Sequence, residues 1–223
     1  MSGRQEFEER VAVERKKRRP AESRLMQVAM ATVALLLGGL TVAAAAEADR
    51  AFAPRFSQNV QGAITFTANT VMTCPASDSR CPAAQAGTGS TLNNNSFTMG
   101  YVDVDSDPST FDSSSAQLTV PDSADILFAG LYYGGQTTAG TGGQRAPNAG
   151  ARGTVLMKTP GSASYQTLTA SVDDSTTGKY AAFVDVTSQV STARSGSYTV
   201  ANIQTGTGQD RAGGWTLVVA VRS

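Results

Sequence analysis

One stretch limits what this chain can fold into: Asp125–Gly135, DILFAGLYYGG. On an extended backbone Ile126, Phe128 and Tyr132 fall on one face, with Gly130 between them. Leu127, Ala129, Leu131 and Tyr133 fall on the other. A strand apolar on both faces belongs in the middle of a sheet covered on both sides. Pro121 precedes the run and Gly134–Gly135 end it, so both limits carry turn signals. The stretch reads as the central strand of a β-sandwich.

The chain around it supports the same class. After Arg50, Ser, Thr, Gly, Asn and Ala dominate, and no long 3.6-residue period appears. Short alternating runs separated by turn residues take its place. They are Gly62–Thr73 (through Ile64, Phe66 and Ala68), Phe97–Val104 (through Phe97, Met99 and Tyr101), and Ala116–Val120. Thr154–Lys158, Tyr165–Ser171, Tyr180–Val186, Ser197–Gln204 and Trp215–Val221 follow. With the central run this predicts an all-β fold of about nine strands, a β-sandwich or jelly roll. One short helix is expected at Thr187–Arg194, capped by Asp185 or Thr187 and stopped by Gly196. Gln136–Gly153 has no apolar pattern and predicts a mobile surface loop.

The N-terminal part is different. Residues 1–24 hold eight Lys/Arg and five Glu, including RKKRRP at Arg15–Pro20, and read as a basic cytoplasmic n-region. Residues 25–48 read as a hydrophobic signal or anchor helix. From Val28 to Ala46 no residue is charged, and small residues gather at the end as a signal-peptidase site requires. Cleavage near Ala44–Ala48 gives a secreted body. Retention gives a membrane contact through residues 25–46, since about 19 apolar residues just span a bilayer. Residues 49–61 form a linker and 62–223 the sandwich, which is expected outside the cell or at its surface.

Composition narrows the chemistry. From Glu47 onward ten Lys/Arg face thirteen Asp/Glu, a weakly acidic body with no grip on phosphate backbones, so no nucleic-acid partner is expected. The chain has no His and no Glu after Glu47. Ser-His-Asp and Cys-His sites and His-ligated zinc are therefore ruled out. An Asp-only glycosidase, with two carboxyls roughly 5–10 Å apart in a cleft, is not excluded. The expectation is a protein that is not an enzyme.

Four sets of residues remain as candidates. Cys74 and Cys81, the only cysteines, have six residues between them and predict a disulfide in an exported chain. Asp103, Asp105 and Asp107 recur at alternate positions with Asp112 beyond them, a pattern of oxygen ligands that can wrap calcium. Against that, Pro108 stands where such loops carry Gly, and no Glu closes the set. The competing reading is a solvated strand end with an Asx turn at Asp107–Pro108. Tyr132, Tyr133 and Trp215 could face a sugar ligand, or pack in the core as such residues more often do. Lys158 lies in an apolar strand and would need a buried acid beside it to form a side-chain crosslink. Otherwise its stem packs on the surface with the ammonium in water.

Taken in order, YVDVDSDPSTFDSSSAQLTVP, ILFAGLYYGG, AAFVDVTSQV and GSYTVANIQTGTGQDRAGGWTLVVAVR resemble the N-terminal module of large actinobacterial cell-surface proteins. Many of these carry repeats called "domain of unknown function 11" or conserved repeat domains. The resemblance covers about Phe56 to Arg222. It implies an extracellular β-sandwich of unassigned activity, with no catalytic residues to carry over. Relatives continue where this chain stops at Ser223, and Val221 stands where an aromatic residue is usual. The chain is thus expected to be a truncated member whose last strand, Trp215–Val221, is an exposed edge prone to self-association. The function this suggests is a structural or adhesive surface module contacting an extracellular protein or glycan. The alternative is a calcium-assisted carbohydrate-binding jelly roll.

Overall fold

The apolar run around Leu131 forms the longest strand and lies at the centre of the larger sheet. A computed structural model describes residues 51–88 and 92–223, within the compact unit Asp49–Ser223. The signal, cleavage and anchor expectations for residues 1–48 lie outside the described residues. Eleven strands are described: β1 (Gly62–Thr70), β2 (Met72–Thr73), β3 (Gly100–Tyr101), β4 (Ser113–Leu118), β5 (Asp125–Gln136), β6 (Thr154–Lys158), β7 (Gln166–Thr169), β8 (Val172–Thr176), β9 (Lys179–Asp185), β10 (Gly196–Ala201) and β11 (Gly213–Arg222). Two short helices accompany them, α1 (Cys81–Gln85) and α2 (Thr187–Ala193). One sheet has the order β1-β11-β5-β9-β8 and the other β4-β10-β6-β7, while β2 and β3 form a separate pair. All pairings are antiparallel. The two main sheets hold nine strands and enclose one core in a sandwich-like arrangement.

That core is built from Leu118, Leu131, Met157, Tyr198, Leu217 and Val219, all fully buried, with Trp215 beside them. Each supplies the inward side of an alternating strand, which is what fixes the register. The indole Nε1–H of Trp215 donates to Ser114 Oγ at 2.8 Å, so its one polar atom is satisfied inside.

The structure departs from the sequence reading at five places. Ile126 lies on the inner face, not beside Phe128. The β5–β11 register slips between Ala220 and Val221, pairing Val221 with Ile126 and Ala220 with Phe128. Leu127 is the extra residue of a bulge, and one extra residue inverts the side-chain alternation. The final strand is not an edge, because β11 sits between β1 and β5. The loop after β5 is pinned along its length by main-chain bonds, among them Gly140 N–H to Thr207 O (2.9 Å) and Gly206 N–H to Gln136 O (2.7 Å). Two backbones meet there so closely that a Cβ on Gly143 would lie 1.9 Å from Thr207 O, which explains a glycine content that otherwise suggests mobility. Strand β8 carries Asp173 and Asp174 and has no apolar signature. Finally, only Gly100–Tyr101 of the Phe97–Val104 run is strand.

Helix α2 forms where expected, but its N-cap position is Val186, not Asp185 or Thr187, and has no side-chain cap. Asp185 Oδ1 accepts from Thr187 N–H (2.9 Å) and Oγ1–H (2.7 Å), tying down an otherwise unpaired amide of the first turn. Val190 is the buried anchor. Arg194 ends the helix at φ 55°, and its guanidinium donates to the carbonyls of Pro121, Asp122 and Ala124.

Candidate functional site

In the acidic turn between β3 and β4, Asp103 and Asp105 share the Ser113 hydroxyl (2.7 and 3.2 Å), while Asp107 and Asp112 turn to other partners. Asp103 Oδ1 accepts from Ser113 Oγ at 2.7 Å. Asp105 Oδ2 takes the Lys158 ammonium at 3.0 Å and the Tyr165 hydroxyl, and Lys158 Nζ also lies 4.6 Å over the Tyr165 ring. Asp107 Oδ1 accepts from Ser109 N–H (2.9 Å) and Oγ–H (2.7 Å), the Asx turn that Asp-Pro favours. Asp112 turns inward, and its Oδ1 accepts from Ile203 N–H at 3.0 Å. Among the described residues no three His, Cys, Asp or Glu side chains form a group able to hold a metal.

The surroundings set the charge on each group. Partial burial alone would raise the Asp105 carboxyl, but the Tyr165 and Lys158 hydrogen bonds outweigh it and hold it down to about 2. An ionised carboxylate paired with an ammonium is a poor electrophile, so Lys158 and Asp105 form an ion pair and are not set up to crosslink. Asp107 is lowered by its bonds from Ser109. Asp112 goes the other way. Burial pushes its carboxyl up to about 8 against the opposing amides of Ile203 and Asn202, and the Asp103 charge adds to the rise. Its Oδ2 has no hydrogen-bond partner among the described residues, nor do the buried hydroxyls of Tyr133 and Tyr180.

The three candidate aromatic residues separate. Tyr133 and Trp215 are core residues, each 3 % exposed, and so cannot face a ligand. Inward alternation on β5 and β11 dictates this, since Trp215 is paired with Tyr133 in register. Tyr132 points to the outer face of the five-stranded sheet, where its ring lies 5.0 Å from that of Phe183.

That outer face is the feature sequence reasoning missed. Phe128 stacks with Phe183 at 6.3 Å, Phe56 stacks on Phe128 at 5.4 Å, and the Arg55 guanidinium lies 5.0 Å over Phe183. Part of the expected linker therefore packs on β5 and β9. The half of the face over β1 and β11 has no such cover among the described residues: Ile64 is 73 % and Phe66 70 % exposed. Strand β1 is inverted, with its apolar side chains outward. Its polar set faces in, where Asn69 Nδ2 donates to Ser115 O (2.7 Å) and Thr65 Oγ1 to Thr119 O (3.5 Å). The legible signal was the run of Thr and Asn between the apolar positions. Those residues find partners inside only because β4 brings unpaired carbonyls there.

Cys74 and Cys81 are disulfide-bonded, as expected, and close the loop that carries the start of α1. Beside them lies a cavity of about 540 Å³ lined by Met72, Leu92, Phe97, Met99, Thr70 and Arg211. Its walls are mainly apolar, and the Arg211 guanidinium is already engaged with Thr138 and Gln209.

No family model, no curated protein and no solved structure matches this chain.

Proposed function

We propose that the protein is an exported, cell-surface or secreted β-sandwich module that acts by contact, in a structural or adhesive role, and not by catalysis. The observation that carries this reading is the outer face of the five-stranded sheet, where Ile64 and Phe66 project into solvent with half-buried Val218 and Tyr132 on the neighbouring strands. Contiguous apolar surface of this kind marks an interaction site on a soluble domain. A disulfide in a chain with a basic, then apolar leader supports export. The likeness to actinobacterial surface modules supports the same reading and rests on the quoted motifs alone. No observation favours the calcium-assisted carbohydrate alternative, since Asp105 already holds Lys158 and Tyr165, and Tyr133 and Trp215 are interior.

The test uses the full chain with a C-terminal epitope in intact cells. Added protease is expected to remove the epitope, or the epitope is expected in the medium. Maleimide should label the cysteines only after reduction. A protected epitope with freely labelled thiols refutes export. Calcium titration by calorimetry is expected to give no saturable heat.

A further inference from the structure

A sheet edge offers unpaired main-chain groups, and proteins ordinarily blunt it with charge, proline, short length or a covering element. Three of the four edges here are treated this way. Strand β8 carries Asp173 and Asp174, and β7 has only four residues. Strand β4 is capped: its outward carbonyl at Ser115 and that of Thr119 just beyond accept from Asn69 and Thr65, and Ser113 N–H donates to Val102 O (2.8 Å). Strand β1 is the fourth edge. Its nine residues, GAITFTANT, contain no charge and no proline.

The direction of its hydrogen bonds follows from parity. Val71 N–H donates to Gly213 O, and Ser223 N–H to Gln61 O. Odd-numbered residues of β1 thus bond to β11, and the alternation of an antiparallel pair turns the N–H and C=O of Ile64, Phe66 and Ala68 toward the open edge. The same three residues point their side chains to the outer face.

We propose that β1 pairs antiparallel with β1 of a second copy across a two-fold axis at Phe66, joining two five-stranded sheets into one. The sequence is self-complementary about that point. Phe66 meets its own copy, Ile64 meets Ala68, and Thr65 meets Thr67, so apolar pairs with apolar and polar with polar on each face. The three positions form about six main-chain hydrogen bonds between copies. The inference refines the contact reading by naming the partner. It is tested on purified protein, so its failure leaves the question of export untouched.

The experiment is light scattering coupled to gel filtration on the full chain in mild detergent, from about 1 to 100 μM. The native chain is expected to form a concentration-dependent dimer. Phe66→Lys places like charges face to face and should raise the dimer dissociation constant at least about 100-fold, with the thermal unfolding curve of the dilute protein preserved. Phe66→Cys should crosslink on mild oxidation, because facing Cα atoms in a hydrogen-bonded pair lie about 5.5 Å apart. Val104→Cys, an exposed position off the axis, should not. A monomer throughout overturns the proposal, as does association that survives Phe66→Lys. A monomer whose Phe66→Cys thiol resists maleimide would place another segment on the edge, and also overturns it. Should Phe66→Lys misfold, the contrast between the two cysteine variants decides alone.

Discussion

The buried carboxyl of Asp112 makes the stability of this protein depend on pH in a window where almost nothing else titrates. Its folded value is about 8, against about 3.9 for an unfolded Asp. The folded state therefore holds one more proton than the unfolded state between those values. The contribution of Asp112 is fully present below about pH 4, falls as pH rises, and is gone above about pH 8. The limiting slope for one proton is about 1.4 kcal/mol per pH unit, so raising the pH from 5 to 7 removes about 2–3 kcal/mol. The chain has no His and both cysteines are bridged, which removes the side-chain types that ordinarily change charge there. Asp112→Asn keeps an oxygen for the Ile203 amide and abolishes the titration. Urea unfolding followed by tryptophan fluorescence at half-unit steps from pH 5 to 8 measures both curves. The native chain should lose stability steadily and the Asn variant should stay flat, the variant being the more stable at pH 8. A flat native curve, or an equal slope in both, refutes the assignment.

Asp105 has the opposite sign. Its carboxyl is held at about 2, so its contribution is present above about pH 4 and lost as pH falls toward 2. Asp105→Asn should flatten the acid limb of the unfolding curve. Trp215→Ala removes a buried ring and its bond to Ser114, and should cost about 3–5 kcal/mol in urea unfolding followed by circular dichroism, since Trp215 is the sole tryptophan. Replacing Cys74 and Cys81 together by Ser opens a short loop and should cost about 2–3 kcal/mol, an amount calorimetry resolves. Gly143→Ala forces a methyl into the carbonyl of Thr207 and should speed amide exchange at Gly140, Gly206 and Gly208 before it affects the core.

Much of the sandwich was legible because alternation reports burial directly. Leu131, Leu217, Val200 and Met157 lie in runs that read as strands, and all four are buried. Strand β8 was not, because an edge strand with Asp173 and Asp174 buries too little to leave an apolar mark. The bulge at Leu127 was hidden because it shows only in the pairing with β11, and the sequence of β5 alone reads as unbroken alternation. The acidic turn was legible as a cluster of charge, but its fate was not. Lys158 and Tyr165 reach Asp105 from strand β6 and the approach to β7, and Ile203 reaches Asp112 from beyond β10. Strand β1 misled for a related reason. Alternation separates two faces but does not say which is inward, and here the answer depends on carbonyls supplied by β4.

The position of β11 also governs when the protein can fold. Thr70 at the end of β1 bonds to Gly213, 143 positions later, and β5 needs the same late strand as its neighbour. A chain emerging N-terminus first thus presents its most apolar strand long before either flank exists to shield it. Such a chain folds slowly and is open to capture by other chains until β11 arrives.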